Sequence, residues 1–301
     1  MELIKAILNP NDVNMIVYHS DCCDGYAAAL CGYLVKGNDI EYYPGKFTSN
    51  REDEKLIERI RTKGDVNLVI MDFSYSKEFM LRLKEVCKKV IVLDHHITAE
   101  KDLGDLEWCY FDQERSGCTI GWEYFIGNTN YPELLKYIED RDLWRWTYPK
   151  SKLFTAAFYS LIPYDFEIYR TLIDYPQKID EYVAMGQAIT EYIRCENMRR
   201  ATTIYRVKTE ANIVGFINLS TNISEFGDYI THHSDIDFAV MWFYDHETAT
   251  IKGSLRSAKG SKNDCSQLAK ALGGGGHFNA AGFVWDGDIE SLINKVKELL
   301  L

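Results

Sequence analysis

Three short stretches place groups able to hold divalent cations directly after apolar runs. "MIVY" (15–18) runs into His19, Asp21 and Asp24, "LVIM" (68–71) into Asp72, and "VIVL" (90–93) into Asp94, His95 and His96. Neighbouring residues on a strand point to opposite faces, so His95 and His96 cannot both enter a core if that strand continues. The pair therefore marks the point where the chain leaves the core. Carboxylates with imidazoles suit manganese, zinc, iron or magnesium, and a ligand set without a thiolate disfavours copper(I) or iron–sulfur chemistry. Enough donors are present for two ions. A bimetal centre about 3.5–4 Å across shares a carboxylate and a water, lowers that water's pKa and clamps the oxygens of an in-line displacement at phosphorus. Asp72, alone in the middle cluster, is the natural bridge. Taken singly, each cluster has a plainer explanation, because an aspartate after a strand is commonly a turn or cap residue. The coincidence of three such clusters carries the reading.

Positioning them requires the three runs to lie side by side. "YAAALCGYLVK" reads as a helix ending at Gly37, and "SKEFMLRLKEVCKK" as a helix opened by a Ser cap. Alternation of these helices with strands at 15–18, 66–74 and 90–93, and a further strand in "WCYFD" (108–112), predicts an α/β fold with a parallel sheet covered on both faces. In such a sheet the carboxyl ends of all strands share one edge, where ligands bind. Further helices are expected near Ser116–Ile126 and Pro132–Asp140.

Apolar positions from Ile179 to Tyr205 recur at helical spacing over roughly eight turns, which predicts a long connecting helix at 177–210, with two shorter helices broken at Gly186 as the alternative. The expected organisation is two lobes, an amino-terminal domain over 1–176 and a smaller mixed α/β domain over 211–301. Within the latter, "IVGFINL", "IDFAVMWFY", "TATIKGSLRS" and "AAGFVW" read as strands, "SEFGDYITHH", "DCSQLAKAL" and "DIESLINKVKELL" as helices, and "GGGGH" as a loop.

With 301 residues, 46% apolar and 26% charged, the composition is that of an ordinary globular protein. A net charge of −11 argues against a broad basic surface for long nucleic acid, while leaving room for a short anionic substrate held by metal ions. The amino terminus does not read as a signal peptide, and no run of about 18 apolar residues predicts a membrane span. Eight cysteines scattered without a C-x-x-C pair fit reduced thiols, so a cytoplasmic location is expected.

In their order, "HSDCCDG", "MDFS" and "LDHH" resemble the motifs of the DHH phosphoesterase superfamily. "IEDRDLW" (138–144) is similar to the family's fourth motif, and "GSLRS" followed by "GGGGHFNAAG" resembles its associated carboxy-terminal substrate domain. The resemblance implies that His19, Asp21 and Asp72 hold one metal while Asp24, Asp72, His95 and Asp140 hold the other, with two Mn2+ ions as the first expectation and Mg2+, Zn2+, Fe2+ or Co2+ as alternatives. Two cysteines separate Asp21 from Asp24, where many relatives have one residue. Asp142 competes with Asp140, and the spacing to Trp144 favours Asp140. Asp94 would orient its histidine neighbours, and His96 would face the scissile phosphate.

The glycine run Gly273–Gly276 can turn several backbone N–H groups toward an anion. Together with Arg256, Ser257, His277 and Asn279, the residues Gly274, Gly275 and Gly276 form the expected substrate-binding set, Arg256 supplying a two-donor fork. "RDLWRW" and "NMRR" suit base stacking or, equally, structural packing. The expected activity is a metal-dependent phosphodiesterase that cleaves short oligonucleotides to nucleoside monophosphates through a metal-bridging hydroxide. Alternatives are a RecJ-like exonuclease, hydrolysis of cyclic dinucleotides, 3′-phosphoadenosine 5′-phosphate or polyphosphate, and a non-catalytic nucleotide sensor. The expected partner is the phosphodiester itself, with no membrane, and the sequence leaves a homodimer open.

Overall fold

The computed structural model describes residues 1–46, 50–161 and 164–300. In chain order, the first part runs α1 (Glu2–Ile7), β1 (Met15–His19), α2 (Cys23–Lys36), β2 (Glu41–Gly45), α3 (Asn50–Lys63), β3 (Asn67–Met71), α4 (Lys77–Val86), β4 (Lys89–Asp94), α5 (Ile97–Leu103) and β5 (Cys109–Phe111). Four helices follow, α6 (Gly117–Ile126), α7 (Glu133–Asp142), α8 (Ser151–Leu161) and α9 (Phe166–Asp174), and then the long α10 (Ile179–Ala201). The chain divides into two compact units, Met1–Ile189 and Thr190–Leu301, with the boundary inside α10.

In the first unit, five strands form a wholly parallel sheet in the order β2-β1-β3-β4-β5. Helices on both faces explain why Ile16, Val17, Val69, Ile70, Ile91 and Val92 are all buried and read as unbroken apolar runs. Helix α2 is apolar nearly all round because it lies against both β1 and α6, and it ends at Gly37, whose φ is +54°. Ser76 caps α4 by accepting from Phe79 N, as its sequence predicts. Strand β2 escapes the pattern reading, since it contains Pro44. Proline is tolerated there because β2 is an edge strand.

Helix α10 is continuous through Gly186, so the two-helix alternative does not hold. A Cβ at that position would lie 1.8 Å from the Leu153 carbonyl oxygen, and only glycine allows α8 to approach so closely. The helix stops at Ala201; Tyr205, assigned to it by periodicity, instead opens β6 (Tyr205–Lys208).

The second unit continues with β7 (Ile213–Asn218), α11 (Ile223–His233), β8 (Phe238–Asp245), β9 (Thr250–Arg256), α12 (Cys265–Ala271), β10 (Gly275–Gly276), β11 (Ala280–Trp285) and α13 (Ile289–Leu299). Its sheet has the order β10-β11-β9-β8-β7-β6, with only β7 and β8 parallel. Val214, Phe216, Val240, Leu255, Phe283 and Leu292 are buried in its core. The glycine run is not simply a loop: Gly273, at φ +82°, follows the end of α12, and Gly275–Gly276 pair with β11 as an edge strand.

Candidate metal centre

Strands β1, β3 and β4 are consecutive neighbours in one parallel sheet, and adjacent strands lie roughly 4.8 Å apart. Their carboxyl ends therefore bring His19, Asp72 and Asp94–His96 within reach of one another. Each end is shaped for this purpose. A Cβ on Gly25 would lie 2.3 Å from the His19 carbonyl oxygen, and one on Gly117 would lie 2.5 Å from Asp72 Cβ, so both close approaches require glycine. Asp72 itself has φ +64°, a left-handed conformation that aspartate adopts more readily than most residues.

Asp72 is buried between two imidazoles. Its Oδ1 lies 3.1 Å from His95 Nε2 and its Oδ2 lies 3.4 Å from His19 Nδ1. Burial alone would raise its pKa, but the two histidines hold it well below the usual carboxylate range. Conversely, burial would lower the His95 imidazole, yet the bond to Asp72 and the charges of Asp142 and Asp24 raise it to about 10. His19 is raised in the same way: burial opposes, and Asp72, Asp94 and Asp142 prevail.

Asp24, on the first turn of α2, is fully buried and accepts from Ser116 Oγ at 2.7 Å, Gly117 N at 2.6 Å and Cys118 N at 3.1 Å. It therefore also caps α6. Despite those donors its pKa stands well above the usual value, through burial first and then the proximity of Asp72 and Asp142. Asp142 is raised as well, by burial first and by Asp72, against the opposing charges of His95, His96 and His19. Asp94 is held at about 2: burial opposes, but the charge and hydrogen bond of His96 outweigh it, with His95 and Ser74 assisting. Its Oδ1 takes His95 N and lies 2.7 Å from His96 Nδ1, while Oδ2 accepts from Ser74 Oγ at 2.7 Å. Asp94 is thus bound to both histidines that follow it.

Among the described residues of this unit there are three sets whose donor atoms lie within 4.8 Å of one another inside each set: His19, Cys22 and Asp72; Asp24, His95 and Asp142; and Asp72, Asp94, His95 and His96. Buried carboxylates crowded against each other, with raised imidazoles balancing their charge, form a donor set that fits divalent cations. Six of the expected residues, His19, Asp24, Asp72, Asp94, His95 and His96, converge.

Two do not. Asp21 has φ +56° and a side chain 72% exposed, 2.7 Å from Lys46 Nζ, so the turn carries it outward. Asp140 is buried on the other side of α7, where it accepts from Thr147 N at 2.7 Å, Tyr148 N at 3.1 Å and Ser151 Oγ. Asp142 takes the place expected of Asp140, with Oδ2 3.5 Å from His95 Nε2. Residues two apart on a helix are separated by about 200°, so only one of the two carboxylates can face the strand ends. The chain then doubles back sharply: Trp144 and Trp146 both have left-handed φ, +52° and +56°. Sequence reasoning also passed over Cys22, whose position between the two first-motif aspartates was the available signal.

The aromatic and cationic residues after α7 pack with one another. Arg141 lies over the rings of Tyr159 and Trp144, at 4.4 Å and 5.5 Å, and Arg145 pairs with Glu114. His232 and His233 close α11, exposed, with Nδ1 of each 2.8 Å from a carbonyl oxygen one turn back.

Within the second unit, Arg256 ends β9 and donates from Nη2 to Ser224 Oγ at 2.9 Å. Ser257 is buried, donating to the Asn263 carbonyl and accepting from Asn279 Nδ2, which also donates to the Ala258 carbonyl. Ser257 and Asn279 thus tie loops together. Gly274 is packed under β11, a Cβ there meeting the Gly282 carbonyl at 2.0 Å, while Gly275, Gly276 and His277 follow along the sheet edge.

Residues 217–301 match the DHHA1 domain family. An uncharacterized protein of Acanthamoeba polyphaga mimivirus is 30% identical over 300 residues, covering 94% of this chain and 70% of that protein. A DHH domain from a member of a ribosomal protein family shares the fold with a TM-score of 0.63 at 15% identity, covering 99% of this chain and 89% of that one. An exopolyphosphatase-related protein from Bacteroides fragilis gives 0.57 at 18% identity, with 99% and 95% covered. RecJ from Thermus thermophilus, in complex with Mn2+, gives 0.56 at 14% identity over 99% of this chain and 53% of that one. The chain therefore belongs to the same family as the mimivirus protein: its acidic and histidine residues gather at one sheet edge, a DHHA1 domain follows them, and it shares its fold with structures of the DHH phosphoesterase superfamily.

Proposed function

We propose that this protein is a metal-dependent phosphodiesterase that releases nucleoside monophosphates from short oligonucleotides. The observation that carries the reading is Asp72, a buried carboxylate flanked by His19 and His95 and central to two neighbouring donor sets. His19 and Asp72 would hold one divalent cation, and Asp24, Asp72, His95 and Asp142 the other. Such ions supply charge neutralisation at the phosphoryl oxygens and acidify water. Manganese is the first expectation, and the RecJ structure of the same fold holds it.

The remaining steps belong to the chain's own side chains. Asp94, ionised and bound at His96 Nδ1, fixes the ring so that Nε2 is the atom offered to the substrate. His96 would donate there to a non-bridging phosphate oxygen as negative charge builds. Burial of Asp24, Asp72 and Asp94 keeps these interactions strong. In the second unit, Arg256 and the backbone N–H groups near Gly275 and Gly276 are the groups suited to a terminal phosphate. The acidic balance of −11 supports short substrates over long strands.

The test is turnover of labelled dinucleotides, long single strands, cyclic dinucleotides and polyphosphate, in Mn2+ and after chelation. Release of mononucleotides from dinucleotides, lost in Asp72→Ala and His96→Ala, supports the reading. Unchanged rates in both variants, or no turnover of any nucleotide, would overturn it.

A further inference from the structure

The turn between β1 and α2 presents a group that the proposed mechanism does not use. Asp21 points outward to Lys46, and the next residue turns back in. Cys22 Sγ donates to Asp72 Oδ2 at 3.7 Å, and its sulfur, a His19 ring nitrogen and an Asp72 oxygen all lie within 4.8 Å of one another. Cys22 is not in a disulfide, and it is partly exposed while its neighbour Cys23 is buried in the apolar core. Cys22 stands at the N-cap of α2.

The geometry points to Cys22 as a thiolate ligand that stands in for Asp21, giving the His19–Asp72 half of the centre a nitrogen, oxygen and sulfur donor set. The inference rests on the metal-dependent reading above and adds a selectivity to it. Binding releases the thiol proton to solvent, and the resulting thiolate donates its electron pair to the cation. A thiolate draws zinc, cobalt and iron(II) more than manganese or magnesium, whereas Asp24, His95 and Asp142 offer only oxygen and nitrogen. The two halves of one centre would therefore prefer different metals.

Cobalt(II) makes the sulfur visible. Full-length protein loaded with Co2+ should show ligand-field bands in the visible, which report bound metal, and a thiolate-to-cobalt charge-transfer band in the near ultraviolet. Cys22→Ser should abolish the second while keeping the first, and Asp21→Asn should leave both. Loss of groups that merely support ligands weakens metal binding about 10–100-fold, so Cys22→Ser should weaken Zn2+ binding by about tenfold or more. Cys22→Asp should shift preference from Zn2+ toward Mn2+.

Ligand-field bands without charge transfer in the unaltered protein would overturn the role of Cys22 and leave the metal-dependent reading standing. Charge transfer that persists in Cys22→Ser would do the same. No bands of either kind would overturn both. Should Cys22→Ser fail to fold, zinc X-ray absorption on the unaltered protein decides, since the absence of a sulfur scatterer rules the ligand out.

Discussion

At Asp72, folding and chemistry pull in opposite directions. A left-handed φ, full burial and two adjacent carboxylates all work against stability, and protonated imidazoles offset them in the ion-free protein. Cations would replace those protons. In thermal melts, Mn2+ at about a hundred times its dissociation constant should therefore stabilise the protein by about 2.7 kcal/mol, and Asp72→Ala should remove the gain. Asp142 and Asp140 should separate cleanly. Because burial and Asp72 raise the Asp142 carboxyl, Asp142→Asn should leave the chelated protein no less stable while cutting Mn2+ binding and turnover. Asp140→Asn removes a charged acceptor from two backbone N–H groups, and should lower stability by about 1–3 kcal/mol with metal binding retained. Equal loss of metal binding in both would contradict the assignment.

At the scale of elements, two glycines set how closely helices approach their neighbours. Gly117→Ala would force the start of α6 away from Asp72, so metal affinity should fall, measured by calorimetry with Mn2+. Gly186→Ala would push α8 and α10 apart, destabilising the first unit by about 1–3 kcal/mol while sparing metal affinity. Strands β1, β3 and β4 were legible in the sequence because a buried parallel strand is an unbroken apolar run that ends abruptly in polar residues. Strand β2 was not, since its place comes from pairing with β1 and its own residues, with Pro44 among them, carry no such pattern. Asp142 was weighed in the sequence but lost to Asp140, for a different reason. Spacing to Trp144 gives position along α7 but not which face of the helix end turns inward. The outward swing of Asp21 depends on a backbone angle that aspartate adopts only sometimes, and residue type does not reveal it.

At the scale of the whole molecule, every residue proposed to hold a cation falls between His19 and Asp142, inside the first unit, while the DHHA1 match begins at residue 217. Arg256→Ala should thus raise KM for dinucleotides and leave Mn2+ affinity unaltered; a fall in Mn2+ affinity would refute that division of labour. No helix among the described residues is long and apolar enough to cross a membrane. Room for changes of length is unevenly spread along the fold. The exposed stretch after Gly127 can absorb extra residues, but in the return after α7 both Trp144 and Trp146 already hold left-handed φ, which residues other than glycine rarely adopt. An added residue there would let the end of α7 rotate and carry the Asp142 carboxylate away from His95.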